Sequence, residues 1–177
     1  MIRDGLEAKS GEVLVCTDEI ISLNHSDVER LSAMAAASPK RRARICVHKD
    51  EGAGVQEMII LMNRSSYVCP HRHANKCESF HLVKGSADIV VFGDDDVIEK
   101  VIPFSCEHAF FYRLDTNRYH TIVVRSDFIV FHEVTNGPFI RNETEYAPFA
   151  PREGTDAIEN YRIKLDKQIA AGLGDRS

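Results

Sequence analysis

The sequence predicts an all-β domain carrying two outlying helices, and three observations support this. From about Arg41 to Val134, apolar and polar residues alternate in short runs rich in Val, Ile, Phe and Tyr, cut by Gly, Asn, Asp and Pro. Helical spacing is confined to two segments, 26–37 and 156–171. The chain has 177 residues, 44% of them apolar, which suffices for a buried core without disulfides or a structural metal. Many short strands with no helices between them are the pattern of a small antiparallel barrel or jelly roll. One domain over 1–177 is expected, with its barrel core at 41–134.

Taken in order, residues 13–16 and 20–23 read as edge strands. Ser26-Asp27-Val28-Glu29 is a capping-box pattern, in which the Ser oxygen and Glu carboxylate satisfy free amides at a helix start. Val28, Leu31 and Met34 follow on one face, and Ser38-Pro39 ends the helix. Ala43, Ile45 and Val47 then alternate with Arg42, Arg44, Cys46 and His48. Further strands are expected at 56–62, 66–73, 78–84, 87–92, 97–102, 108–114, 120–124 and 128–134. After Gly137-Pro138, a loop with Pro148 and Pro151 leads to the second helix, where Ile158, Tyr161, Leu165 and Ile169 make one apolar stripe.

Composition narrows the function. Lys plus Arg number 22 against 27 Asp plus Glu, a net charge of −5, so neither nucleic acid nor an anionic membrane is expected as the main partner. The longest apolar runs, 58–62 and 89–92, fall far short of the roughly 20 residues of a spanning helix. The charged start, Met1-Ile2-Arg3-Asp4, argues against export. Five cysteines, Cys16, Cys46, Cys69, Cys77 and Cys106, form no CxxC pair and suit free thiols in a cytoplasm. The sequons at Asn63 and Asn142 then carry no meaning.

Chemistry concentrates in residues 70–85. Alternate side chains of a strand share a face, so His71 and His73 point the same way. A short turn at residues 74–77 brings the chain back with Glu78 aimed at the same space. Two ring nitrogens and a carboxylate oxygen suit a borderline divalent metal and leave it incompletely coordinated. His120 starts a later strand and supplies a fourth ligand if that strand lies alongside. A rival reading takes Cys69, His71, His73 and Cys77 as a closed zinc site, but leaves Glu78 and His120 idle. Parity from Glu78 turns Phe80 and Leu82 inward and His81 outward. The basic run Lys40-Arg41-Arg42-Ala43-Arg44 reads as a solvated segment or a grip for a phosphate, with Arg42 and Arg44 on one face. Asp94-Asp95-Asp96 after Gly93 reads as a hairpin turn.

His71-x-His73, four residues, Glu78, six residues and Gly85 resemble the first cupin motif at every fixed position. In the second, Asp115 and Asn117 replace the usual Pro and Gly while His120 stays in register, and Asn117 can make the turn if it adopts the left-handed conformation. Arg42-Ala43-Arg44, His48, Gln56-Glu57-Met58, Ser66-Tyr67, Pro70 to His73, Lys76, Glu133, Gly137-Pro138-Phe139 and residues 147–151 together look like the WbuC-type cupin fold metalloproteins. That family is bacterial, and some members lie beside genes for surface polysaccharide synthesis.

The resemblance implies a cupin jelly roll with one divalent ion on His71, His73, Glu78 and His120. Zn, Fe, Mn, Ni and Cu are not distinguished by these ligands. It favours Glu133 over His132 as the cavity-facing residue of the last strand. Glu57, Tyr112 and Glu133 become candidate acids or bases, and Arg42, Arg44 and Arg113 candidate substrate contacts. The function expected is isomerisation or epimerisation of a sugar or sugar-nucleotide. The alternatives are oxygen-dependent cleavage if the ion is ferrous, or a ligand-binding module without turnover. Cupins often pair through strand edges, so a homodimer is expected.

Overall fold

Alternation gives each sheet two faces to cover, and the chain covers them with four layers. The computed structural model describes residues 5–140 and 143–174. The elements run β1 (Leu6–Ala8), β2 (Val13–Cys16), α1 (His25–Ala37), β3 (Arg42–Cys46), β4 (Val55–Asn63), β5 (His71–His73) and β6 (Glu78–Lys84). There follow β7 (Ala87–Phe92), β8 (Ile98–Phe104), β9 (Phe111–Leu114), β10 (Tyr119–Val124), β11 (Phe128–Asn136), β12 (Thr144–Tyr146) and α2 (Ile158–Gly174). The larger sheet has the order β1-β2-β3-β4-β11-β6-β9, and the smaller β12-β5-β10-β7-β8. They face each other without closing into a barrel, and β2 pairs with β3 in parallel while the other ladders are antiparallel.

Phe80, Ile89, Phe104, Ile122, Ile129 and Phe131 fill the space between the sheets. Leu31 and Ala35 of α1 seal the outer face of the larger sheet against Ile45, Leu61 and Val130. Tyr161, Leu165 and Ile169 of α2 seal the smaller sheet against Val90, Phe92 and Tyr119. All six residues of β7 are therefore buried, Ile89 toward one layer and Val90 toward the other.

Local chemistry shifts several expected boundaries. Helix α1 is capped by Asn24, whose side chain accepts from Ser26 N while Asp27 accepts from Asn24 N at 2.7 Å; the box lies upstream of the Ser26–Glu29 pattern. Residues 20–23 form no strand. The strand expected at 66–73 shrinks to β5 because side chains take its carbonyls. Arg42 donates to Tyr67 O at 2.8 Å and Thr121 Oγ1 to Val68 O at 2.7 Å. Asp94 to Asp96 do form the turn between β7 and β8, with Asp96 left-handed at φ 63°. Asn117 is not left-handed, so the turn before His120 forms by another route, with Arg118 N donating to Thr116 O at 2.8 Å.

Candidate metal centre

Sheet pairing brings the histidines together. His71 and His120 are directly opposed across the β5–β10 ladder, and His73 follows on the same face of β5. Glu78 arrives differently from the expected hairpin. Residues 74–77 carry the chain from the smaller sheet to the larger one, so Glu78 reaches the histidines from the opposite wall. Its two oxygens lie 3.1 Å from His73 Nε2 and 2.9 Å from His120 Nε2. One ligand atom from each of the four residues falls within 4.8 Å of every other, and His73, Glu78 and His120 are buried.

Each imidazole is also held from behind. His71 Nδ1 donates to Cys69 O at 2.9 Å and His120 Nδ1 to Arg118 O at 3.0 Å, since a carbonyl can only accept. His73 Nδ1 lies 3.2 Å from Thr144 Oγ1 on β12. The two carbonyl contacts place the ring protons of His71 and His120 on Nδ1 and aim their Nε2 lone pairs inward, while the Thr144 hydroxyl, which can accept or donate, fixes the orientation of the His73 ring. Such inward lone pairs beside a buried carboxylate need a proton or a cation between them, and four donors of this chemistry fit one divalent ion. The electrostatics agree. Burial drives the His71 pKa down to about 3, helped by His120. Burial opposes the charge on Glu78, but the His120 and His73 rings at hydrogen-bond distance hold its carboxyl well below the usual range.

The tethers in turn depend on an outer layer. Arg72, on the other face of β5, pairs with Glu145 and Asp94 at 2.9 Å and lies over the Tyr119 ring. It ties β5 to β12 and to the β7–β8 turn. Replacing Thr144 by Val, which keeps shape but removes the hydroxyl, is expected to weaken metal binding about 10–100-fold. Competition with a chromophoric chelator measures this; Thr144→Ser should retain the affinity, and an unchanged Val variant would deny the tether a role. Sequence reasoning missed Thr144, because only the β5–β12 pairing, Thr144 opposite His73, places it here.

The centre lies where an inner chamber of about 260 Å³, lined by His71, Glu78 and His120, adjoins an outer vestibule of about 1060 Å³ lined by His71, His73 and Glu78. Of the expected acid–base residues, only Glu133 faces this space. Burial and the Glu78 charge push its carboxyl up to about 8, while Arg44 and Lys76 pull the other way. Glu57 belongs to the opposite face of β4, where it pairs with His132 at 3.4 Å, so a catalytic role for it is not supported. Tyr112 packs on Phe80 in the intersheet core and lines neither chamber; burial holds its phenol above the usual range. Arg113 sits beside Ser79 on the outer face of the β6–β9 pair, bound to Asp115 at 3.1 Å, and cannot reach the cavity. Strand parity excludes Glu57 and Arg113, whereas Tyr112 points inward but is packed into the core away from the chambers.

Arg42 and Arg44 do line both chambers, as their shared face requires. Arg42 is engaged structurally, by Glu153 at 2.8 and 3.0 Å and by Tyr67 O. His81 is exposed, beside the rings of Phe110 and Phe111. Neither Cys69 nor Cys77 joins the donor cluster, which removes the closed zinc site; Cys69 is buried with its sulfur 3.6 Å from Pro70 O.

Two facing sheets with a His₃Glu cluster between them define a cupin-fold protein with a candidate metal site. A family model described as a domain of unknown function, DUF6016, matches residues 23–103. No curated protein matches the chain. Among solved structures, the chain is similar to the capsular polysaccharide assembling protein CapF from Staphylococcus aureus. The identity is 20% and the TM-score 0.53, over 62% of this chain and 32% of that one, so the chain spans about a third of CapF. Protein SO0799 from Shewanella oneidensis aligns at 10% identity and TM-score 0.50, over 58% of this chain and 72% of that chain. A cupin 2 conserved barrel domain protein from Rhodopseudomonas palustris aligns at 15% identity and TM-score 0.47, covering 59% and 66% respectively. The likenesses to CapF and SO0799 are of fold. No helix among the described residues is long and apolar enough to cross a membrane.

Proposed function

We propose that this chain is a mononuclear metalloprotein of the WbuC type that isomerises or epimerises a small polar substrate, a sugar or sugar-nucleotide. The observation that carries the reading is the convergence of three imidazoles and one carboxylate at the wall of an open cavity that also receives the Glu133 carboxyl. His71, His73, Glu78 and His120 would hold the ion, which supplies a Lewis acid for a substrate oxygen.

The rest is the work of the chain's own side chains. Glu133 faces the cavity beside the metal ligands and is placed to give or take a proton at a carbon or oxygen of the bound molecule. Phe80, Ile122 and Phe131 wall the inner chamber with apolar surface and limit water there. Capsular polysaccharide assembly is the role named for CapF, and a sugar-class substrate here is compatible with that fold likeness.

The test begins with elemental analysis of the purified protein, then turnover screens on sugars and sugar-nucleotides with that metal restored. Turnover that is abolished by His73→Ala and lowered by Glu133→Gln supports the proposal. Tight ligand binding without turnover across the panel makes the chain a binding module, and substrate-dependent oxygen uptake makes it an oxygenase. Either result overturns the isomerase reading.

A further inference from the structure

Charged side chains around the vestibule largely neutralise one another. Arg42 pairs with Glu153 at 2.8 Å, Lys9 with Glu51 at 3.3 Å and Lys40 with Glu12 at 3.9 Å. Asp50 accepts from Gly52 N at 2.9 Å, and Glu7 sits on the edge strand β1. Arg44, Lys49 and Lys76 remain without a carboxylate at ion-pair distance among the described residues. Of these, Arg44 lines the inner chamber as well as the vestibule.

Their placement is complementary. Arg44 lies in mid β3, in register with Val13 and Ile60 on the cavity face of the larger sheet. Lys76 comes from the crossover between the sheets, its ammonium 4.8 Å from the ring of Phe139, another vestibule residue. Both line the same vestibule as Glu133, Arg44 from the larger sheet and Lys76 from the crossover, so the two cations flank one opening from different walls. A divalent ion held by three neutral imidazoles and one carboxylate would add further positive charge to this opening. The chain as a whole carries −5, so this mouth departs from the general field.

Resting on the function proposed above, we propose that Arg44 and Lys76 form an oxyanion rim that takes a phosphoryl group of the substrate, while its uncharged part enters the inner chamber. The Arg44 guanidinium, in contact with the Cys46 thiol but with no carboxylate at ion-pair distance, offers a planar fork matched to phosphate oxygens, and the Lys76 ammonium adds a point charge from a second direction. A chamber of about 260 Å³ suits a monosaccharide-sized fragment, and the vestibule of about 1060 Å³ leaves room for the phosphorylated remainder. A neutral sugar would find no use for either cation.

The test titrates inorganic phosphate, pyrophosphate and succinate into the metal-loaded wild type, Arg44→Met, Lys76→Met and the double variant by calorimetry. Metal content and thermal melting are read on the same samples. Pyrophosphate affinity is expected to fall about tenfold with each substitution, at unchanged metal content. Unchanged affinity in the double variant would assign the binding to the ion alone and overturn the rim. Succinate binding tighter than pyrophosphate would overturn the phosphoryl assignment. The same titration on chelator-treated protein separates this inference from the metal reading. Pyrophosphate binding that survives without metal and disappears in the double variant upholds the rim even if no metal proves native.

Discussion

Replacing Glu78 by Gln is expected to abolish stoichiometric metal binding while leaving the fold intact. The substitution keeps size and shape but removes the one anionic donor. That donor spans His73 and His120 at 3.1 and 2.9 Å from a wall opposite the histidines. An amide cannot offset the charge of a divalent ion in a buried site, and an affinity loss of more than about 100-fold follows, beyond what outer contacts supply. The measurement is metal per chain after equilibrium dialysis, together with melting with and without added metal. For the wild type, metal at 100 times its dissociation constant adds about 2.7 kcal/mol of stability. The variant should show no such rise. Retained stoichiometric metal in Glu78→Gln would mean that the ion sits elsewhere, and the centre described here would fall.

Three of the four clustered residues are legible locally, whereas His120 joins them only through the β5–β10 pairing. His71-x-His73 is one strand's parity, and Glu78 and Gly85 follow at fixed spacing. The strands at 78–84 and 87–92 were legible to the residue, since turns bound them and neither is an edge strand. What escaped depends on tertiary pairing. β1 and β12 are three residues each and exist only because β2 and β5 offer them partners. The tether from Thr144 to His73 was invisible for the same reason.

The acid–base candidates divide on a simpler ground. Gln56, Met58 and Ile60 face the cavity, so Glu57 between them cannot. Parity along β4 could have excluded Glu57, had the inward face of that strand been fixed first. Glu133 passes the same check, because Phe131 two residues earlier lines the inner chamber. Tyr112 shows that inward parity is necessary and not sufficient. It points between the sheets, but β9 is an edge strand, and Phe80 stands beside it in the packed core.

The turn that closes the first motif governs stability rather than chemistry. Gly85 has φ +88°, and a Cβ there would sit 2.3 Å from Phe128 O, 2.7 Å from Ser126 Oγ and 3.0 Å from Ile129 Cα. This is the point where β6 leaves the larger sheet and β7 enters the smaller one, packed against the β10–β11 connection that crosses back. Ser126 Oγ accepts from Ser86 N at 2.8 Å and donates to Phe128 O at 2.7 Å, so the two crossings are laced together. Neither backbone can yield without losing those bonds. Gly85→Ala is therefore expected to cost about 3 kcal/mol or more, from left-handed strain plus contact with a main-chain oxygen. For a chain of this size that lowers Tm by about 6–12 °C. Urea and thermal denaturation measure it, and a loss below about 1 kcal/mol would show that the crossing relaxes. Glu78 lies at the other end of β6, about 20 Å away at strand rise. Metal content should consequently match the wild type at temperatures well below the melt, separating a weakened turn from a damaged centre.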